Sequence, residues 1–298
     1  MERRTIMERG KDLIVVTGAT GHQGGATARE LLAHGHRIRI VTRKPNSAAA
    51  KELARLGADV VAGDLDDSAS LERALAGAWG TYAVQNTWEA GVEGEEQQGL
   101  RYAEVARRAG IQHYVYASVA SAHRQTGIPH FDNKRRVEER VRALGFPSHT
   151  IIRPVFFMEN LTSPWFLPSI QQGQLAVALD PATVLQMIAV KDIGKYGAWA
   201  FENHAALNGR AIDIAGDQLT MPQTAEIISR AWKRPVTFVR TPIEAVREFS
   251  EDYALMLEWF DRVGYDVDIA KTSAESGVAP TPFAEWAVAQ NWALEQAA

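Results

Sequence analysis

Thr17-Gly-Ala-Thr-Gly-His-Gln-Gly-Gly25 constrains the fold more than any other stretch of this chain. Gly18, Gly21 and Gly24 stand at G-x-x-G-x-x-G spacing, directly after the apolar run Leu13-Ile-Val-Val. A helical pattern follows and closes at Gly35. An unbroken apolar run bounded by a turn marks a strand buried on both faces. The first glycine turns the chain sharply, the second lets an anion approach the backbone, and the third lets helix and strand pack closely. Unpaired N–H groups at the helix start then face the anion. In that strand–turn–helix context the segment reads as a pyrophosphate cradle, with Thr20, His22 and Gln23 among its glycines.

The same rhythm continues. Strands are expected at 37–42, 59–62, 79–84, 113–118 and 148–153, with helices at 27–34, 48–56, 68–76, 95–109 and 133–144 between them. Short apolar strands alternating with helices imply a parallel sheet with right-handed crossovers. Beyond Pro154 the pattern changes: 156–168 is aromatic and proline-punctuated, and 184–190 reads as a strand feeding a helix at 192–203. A strand at 211–215, a helix at 222–232 and a strand at 236–239 read as a small lobe, with helical stretches at 243–263 and 282–298 beside it. The expected class is therefore α/β, a Rossmann-type doubly wound parallel sheet with a smaller C-terminal α/β lobe. The sheet domain takes 12–155, with 183–203 returning to it, and the lobe takes 156–182 and 204–298.

Composition narrows the function. The 298 residues are 46% hydrophobic and 23% charged, the balance of a globular chain with a sizeable core. A net charge of -4 argues against a nucleic-acid-binding face, which carries a basic excess. The basic stretch Lys134–Arg142 has interleaved acids and reads as a solvated helix face. With no cysteine, disulfides, thiolate metal sites and a cysteine nucleophile are excluded. The eight histidines show no metal-ligand spacing, so no metal site is expected. No apolar run approaches the roughly 20 residues of a membrane span, and the first dozen residues lack the apolar stretch of a signal peptide. A cytoplasmic protein is expected, its fold beginning near Asp12.

Cofactor preference is read after the second strand. A site for NAD places an acid there to accept from the ribose hydroxyls. This chain has Thr42-Arg43-Lys44, whose cations suit a 2′-phosphate instead, so the expected cofactor is NADP(H). The plainer reading is a surface Arg-Lys pair ending a strand. After the third strand, Asp64 is placed to accept from the adenine amino group and Leu65 to pack on the ring. Asp64 also suits a turn, with Asp67 as a helix cap.

These motifs, with QNTWE at 85–89, HFDNK at 130–134, RPVFFMEN at 153–160, IAVKDIGKYG at 188–197 and the stretch 211–229, resemble the NmrA-like branch of the atypical short-chain dehydrogenases. The resemblance runs from about Asp12 to about Trp286. It implies that Gln85, Asn86 and Thr87 lie along the nicotinamide side, and that Pro154, Phe156 and Phe157 close over the ring. Ordinary members of the superfamily carry a Tyr four residues before a Lys, one helical turn apart, as proton donor and ribose holder. Here Lys134 is kept and His130 stands at the tyrosine position. Ser118, after the fifth strand, matches the hydroxyl that orients substrate, and equally suits a strand-end hydrogen bonder. Two functions follow. One is an NADPH-dependent reductase of a small quinone, aldehyde or conjugated carbonyl, with Lys134, His130 and Ser118 as its catalytic set. The other is an NADP(H) sensor that turns nothing over and acts on a regulatory protein partner. Either is compatible with a homodimer.

Overall fold

The computed structural model describes residues 12–293; the basic lead before Asp12 and the end of the last expected helix lie outside them. In chain order the elements begin β1 (Leu13–Val16), α1 (His22–Ala33), β2 (Arg37–Thr42), α2 (Ala48–Arg55), β3 (Asp59–Ala62), α3 (Ser68–Leu75) and β4 (Gly80–Ala83). Then come α4 (Thr87–Arg108), β5 (His113–Ala117), α5 (Pro129–Ala143), β6 (Ser148–Pro154), β7 (Phe156–Phe157), α6 (Leu167–Gln171), β8 (Gln174–Val177) and β9 (Val184–Ile188). The rest are α7 (Val190–Glu202), β10 (Ala211–Ile214), β11 (Asp217–Thr220), α8 (Met221–Trp232), β12 (Thr237–Arg240), α9 (Ile243–Phe249), α10 (Glu251–Arg262), α11 (Ile269–Ser276) and α12 (Phe283–Val288).

Seven strands form one sheet in the order β10-β6-β5-β4-β1-β2-β3, and β1 through β6 pair parallel. From β1 the chain steps outward through β2 and β3, then returns to lay β4 on the other side of β1. That reversal opens a crevice at the carboxyl ends of β1 and β4, the place where such sheets bind ligands. Side chains alternate across the sheet with period two. Val15, Ala83, Tyr114 and Tyr116 pack with residues of α3, α4 and α5 in one buried cluster. Gly80 and His113 turn the other way, towards Phe201 of α7. Gly194 and Gly197 of α7 meet α1 at Ala26 and Thr27 so closely that an added Cβ would lie 2.7 Å from them.

The described residues divide into two compact units, the first taking 12–125, 129–153 and 191–213, the second 126–128, 154–190 and 214–293. Within the second, β11, β9 and β7 form a three-stranded sheet and β12 pairs with β8.

Several expectations are corrected. The returning segment is 191–213 rather than 183–203, because β9 pairs with β11 and β7. Its strand β10, expected in the small lobe, is the outer strand of the large sheet, where Ile151 N–H donates to the Arg210 carbonyl. Helix α1 starts at His22 instead of Thr27, and α4 at Thr87 instead of Glu95. The expected helix 243–263 is two, broken at Ser250, whose extended backbone and hydroxyl cap α10 through Tyr253 N–H. In 156–168 the expected irregular connection holds β7 and the first turn of α6, and α11 was not expected.

Candidate functional site

The glycine turn between β1 and α1 is fixed by the chain's own packing at two of its three positions. Gly18 has φ +60, and a Cβ there would stand 2.6 Å from Val84 Cγ1. A Cβ on Gly24 would lie 2.5 Å from the Thr17 carbonyl oxygen. Gly21 differs: its backbone is extended, and its Cβ would meet only the Gly18 carbonyl, at 3.4 Å. Nothing in the protein demands a glycine at 21, whereas a ligand running against the turn would. Thr17 locks the turn to the strand-four side, its hydroxyl donating to Val84 O (2.9 Å) and accepting from Val84 N (2.8 Å). Thr20, Gly21 and His22 are exposed around the mouth. Gln23 is not with them: it is buried, and its amide donates to the Tyr82 hydroxyl at 3.0 Å, so only its main chain faces the turn.

Asp64 builds the loop after β3, accepting from Asp66 N–H at 3.0 Å, while Asp67 caps α3 through Ala69 N–H. Leu65 is half-buried against the core cluster. The turn reading of Asp64 is thus realised. Arg43 and Lys44 are exposed just past β2, and Arg43 is paired with Glu89 in the first turn of α4.

Helix α4 is capped by Asn86, whose side chain accepts from Trp88 N–H at 3.1 Å. It is interrupted at Gly91, where φ is 74 and ψ 169. Beyond the break lies Glu95, buried and surrounded by donors. Lys134 Nζ is 2.8 Å from one carboxylate oxygen, Asn133 Nδ2 2.9 Å from the other, and the Thr87 hydroxyl also donates to it. Burial raises the Glu95 pKa, but the Lys134 charge and these hydrogen bonds outweigh it and hold the carboxyl below its usual range. Lys134 thus has a buried carboxylate as its built-in partner. Gln85, at the end of β4, is buried with both amide atoms unpartnered in the protein, so its polar group awaits a water or ligand.

Starting α5 at Pro129 puts His130 and Lys134 one turn apart on the same helix. His130 is buried beneath Trp88 (ring centroids 6.0 Å apart) and against Phe131. The Tyr116 ring lies 6.0 Å from Lys134 Nζ. Burial and the nearby Glu95, Tyr114 and Glu138 charges push its phenol well above the ordinary value.

Ser118 has a different partner from the one its position suggests. Its hydroxyl donates to Glu138 Oε1 at 2.6 Å. Arg153 holds the same fully buried carboxylate with two bonds, 2.7 and 2.6 Å, and reaches Asp213 at 3.3 Å. Burial opposes ionisation of Glu138, and the Arg153 bonds and charge overcome it, lowering its pKa. Asp213 in turn accepts from Ser121 N–H, whose backbone is left-handed at φ 66. This network ties together β5, α5, β6 and β10.

Glu89, Glu95, Glu138 and Arg153 were missed in the sequence. The readable signal was a carboxylate on an otherwise inward helix face, Glu95 with Gly99 and Tyr102, and Glu138 with Val137 and Val141. The solvated-face reading of 134–142 holds for Arg140, in an exposed pair with Glu104, and for the exposed Arg136, paired with the half-buried Glu96, whereas Arg135, paired with Glu139, is itself half-buried. In the second unit, Phe156 and Phe157 form β7, pairing with Met187 and Ile188, and Phe156 is buried edge-to-face with Phe166; Pro154 ends β6. Among the described residues no helix is long and apolar enough to cross a membrane.

The sequence profile of the NmrA-like family matches residues 10–287. The chain belongs to that family. An NmrA-like family domain-containing protein of Dictyostelium discoideum is 28% identical over 268 residues, covering 84% of this chain and 88% of that one. An NmrA-like family domain-containing oxidoreductase of Malbranchea aurantiaca is 34% identical over 176 residues, 55% of this chain and 52% of the relative. The chain thus spans about half the length of that oxidoreductase. The crystal structure of NmrA, a negative transcriptional regulator, in complex with NADP superposes with a TM-score of 0.79 at 24% identity, over 96% of this chain and all of that one. At that identity the likeness shows the NmrA fold.

Proposed function

We propose that this NmrA-like chain binds NADP(H) at the carboxyl edge of the large sheet and uses it to reduce a small quinone, aldehyde or conjugated carbonyl. The observation that carries the reading is Gly21, a glycine that the fold does not require, between two that it does. It fits a pyrophosphate laid on the turn, with the exposed N–H groups at the start of α1 as donors. Arg43 and Lys44 suit the 2′-phosphate, Lys134 the nicotinamide ribose, and the unpartnered Gln85 amide a polar group on that side. Asn86 and Thr87 border the same strand end. The NADP of the NmrA crystal structure and the oxidoreductase name of the Malbranchea relative support this choice.

The bound nucleotide supplies a hydride equivalent. The protein's share is orientation and exclusion of water. Lys134, held by Glu95, is a positioned donor for the ribose. His130 is the nearest replacement for the missing proton donor, sharing a helix face with Lys134. Ser118, committed to Glu138, positions the end of β5.

A non-catalytic NADP(H) sensor acting on a protein partner is the second reading. The neutralised Lys134–Glu95 pair favours it, since a lysine with its own counter-ion has no unspent charge to activate a neighbour. Consumption of NADPH against a panel of quinones, aldehydes and enones, with NADH in parallel, separates the two. Removing Lys134 alone would strand a buried carboxylate, so the cleaner variant is Lys134→Met with Glu95→Gln. Acceptor-dependent oxidation of NADPH that falls about a hundredfold or more in this variant is expected of the reductase. Tight NADPH binding without turnover of any acceptor would remove the reductase reading.

A further inference from the structure

The end of β2 carries no acid, yet an acid is present there. Glu89 arrives from the start of α4 and pairs with Arg43. Arg43 follows β2 and Glu89 follows β4, the two strands that flank β1. The pair therefore spans the carboxyl end of β1, across the crevice that the glycine turn lines. Both side chains are 59% exposed, so water and salt screen the pair and it opens at little cost. The break at Gly91 leaves the first turn of α4, with Glu89 on it, as a short segment of its own.

We propose that Glu89 sets the balance between the phosphorylated and unphosphorylated dinucleotide, acting as the ribose-side acid that β2 lacks. This inference rests on the reading that Arg43 receives the 2′-phosphate. A dinucleotide with a free 2′-hydroxyl finds a carboxylate ready to accept from it, already oriented by Arg43. A 2′-phosphate must take Arg43 from Glu89 and then sit beside a carboxylate, a dianion against a like charge. Glu89 thus favours NAD and handicaps NADP, leaving the site more evenly balanced than Arg43 and Lys44 suggest by themselves. The role is one of specificity, since Glu89 acts through its place beside Arg43, the proposed partner of the 2′-phosphate.

Calorimetric titration of the full chain with NADP⁺ and with NAD⁺ tests this without any turnover, using Glu89→Gln, Arg43→Gln and the parent. In Glu89→Gln, NADP⁺ is expected to bind about fivefold tighter and NAD⁺ about threefold weaker at low ionic strength. The gain for NADP⁺ should shrink as salt shortens the Debye length below about 8 Å. A ratio of the two affinities that moves by less than about twofold overturns the proposal, as does an equal shift in both. Arg43→Gln reports on the underlying reading. If it leaves NADP⁺ binding unchanged, Arg43 is not the phosphate's partner and that reading fails first. If it weakens NADP⁺ while Glu89→Gln changes nothing, only the role of Glu89 is lost.

Discussion

A Cβ added at Gly24 would overlap the Thr17 carbonyl at 2.5 Å, while one at Gly21 would make a single van der Waals contact at 3.4 Å. The same substitution at the two positions should therefore report different things. Gly24→Ala forces the first turn of α1 off β1 and is expected to cost about 1–3 kcal/mol of stability, read from a denaturant midpoint. Gly21→Ala meets no forbidden backbone and should melt with the parent, within about 0.5 kcal/mol. Its dinucleotide affinity should nevertheless fall about tenfold or more, because the added methyl stands where the pyrophosphate approaches. Unchanged affinity in Gly21→Ala would place the nucleotide elsewhere. The comparison uses only binding and melting, so it holds for enzyme and sensor alike.

Among the elements, β5 carries a pH dependence of its own. His113 is fully buried among Trp79, Phe201 and His204, with Nδ1 bonded to Ser148 at 2.9 Å. Burial, helped by the neighbouring His204, pushes its pKa down to about 3. The unfolded chain takes up a proton near pH 6.5 that the native state refuses, so stability is full above that pH and drains away as pH falls towards 3. By pH 5 the loss from this one group is about 2 kcal/mol, and His113→Phe should flatten the stability profile between pH 6.5 and 4. A profile that keeps its slope in the variant would show that other groups set it. What the sequence displayed of these elements follows from their burial. Strand β1 is buried along its length and reads as an unbroken apolar run, β4 and β5 are buried throughout, and β2 and β3, towards the sheet edge, show only short Ile/Val stretches beside exposed ends. Two of the four residues after Gly21 are glycines, the weakest helix formers after proline, and Gly91 interrupts α4, so both helix starts were hidden. Strands β8 and β11 are four residues each with polar members, below what periodicity resolves. In the site, the cradle and Arg43 were legible because spacing and charge are local properties. The partners of Ser118, Lys134 and Arg43 were not. They stand 20, 39 and 46 residues away, and only the fold brings them near.

At the scale of the molecule, the first unit is assembled from separated stretches of chain. Helix α7 supplies Phe201 against Gly80 and His113, and β10 supplies the outer strand beside β6 together with Asp213 for Arg153. A fragment ending at 155 should therefore be aggregation-prone, with β6 an open edge and α1 stripped of the helix that meets its Thr27. Fluorescence of a hydrophobic dye and sedimentation would show this; a monomeric fragment with a cooperative melt would contradict it. The same discontinuity has a meaning in time. The large sheet lacks its last strand until some 60 further residues beyond β6 have been synthesised, about 3–12 s at ribosomal rates. Throughout that interval the nascent chain presents a bare strand, and α1 stays uncovered until α7 has emerged, while the stretch that builds most of the smaller sheets is made. Early folding of this protein on the ribosome is thus a matter of waiting, and chaperones that shield open β-edges would act in that window.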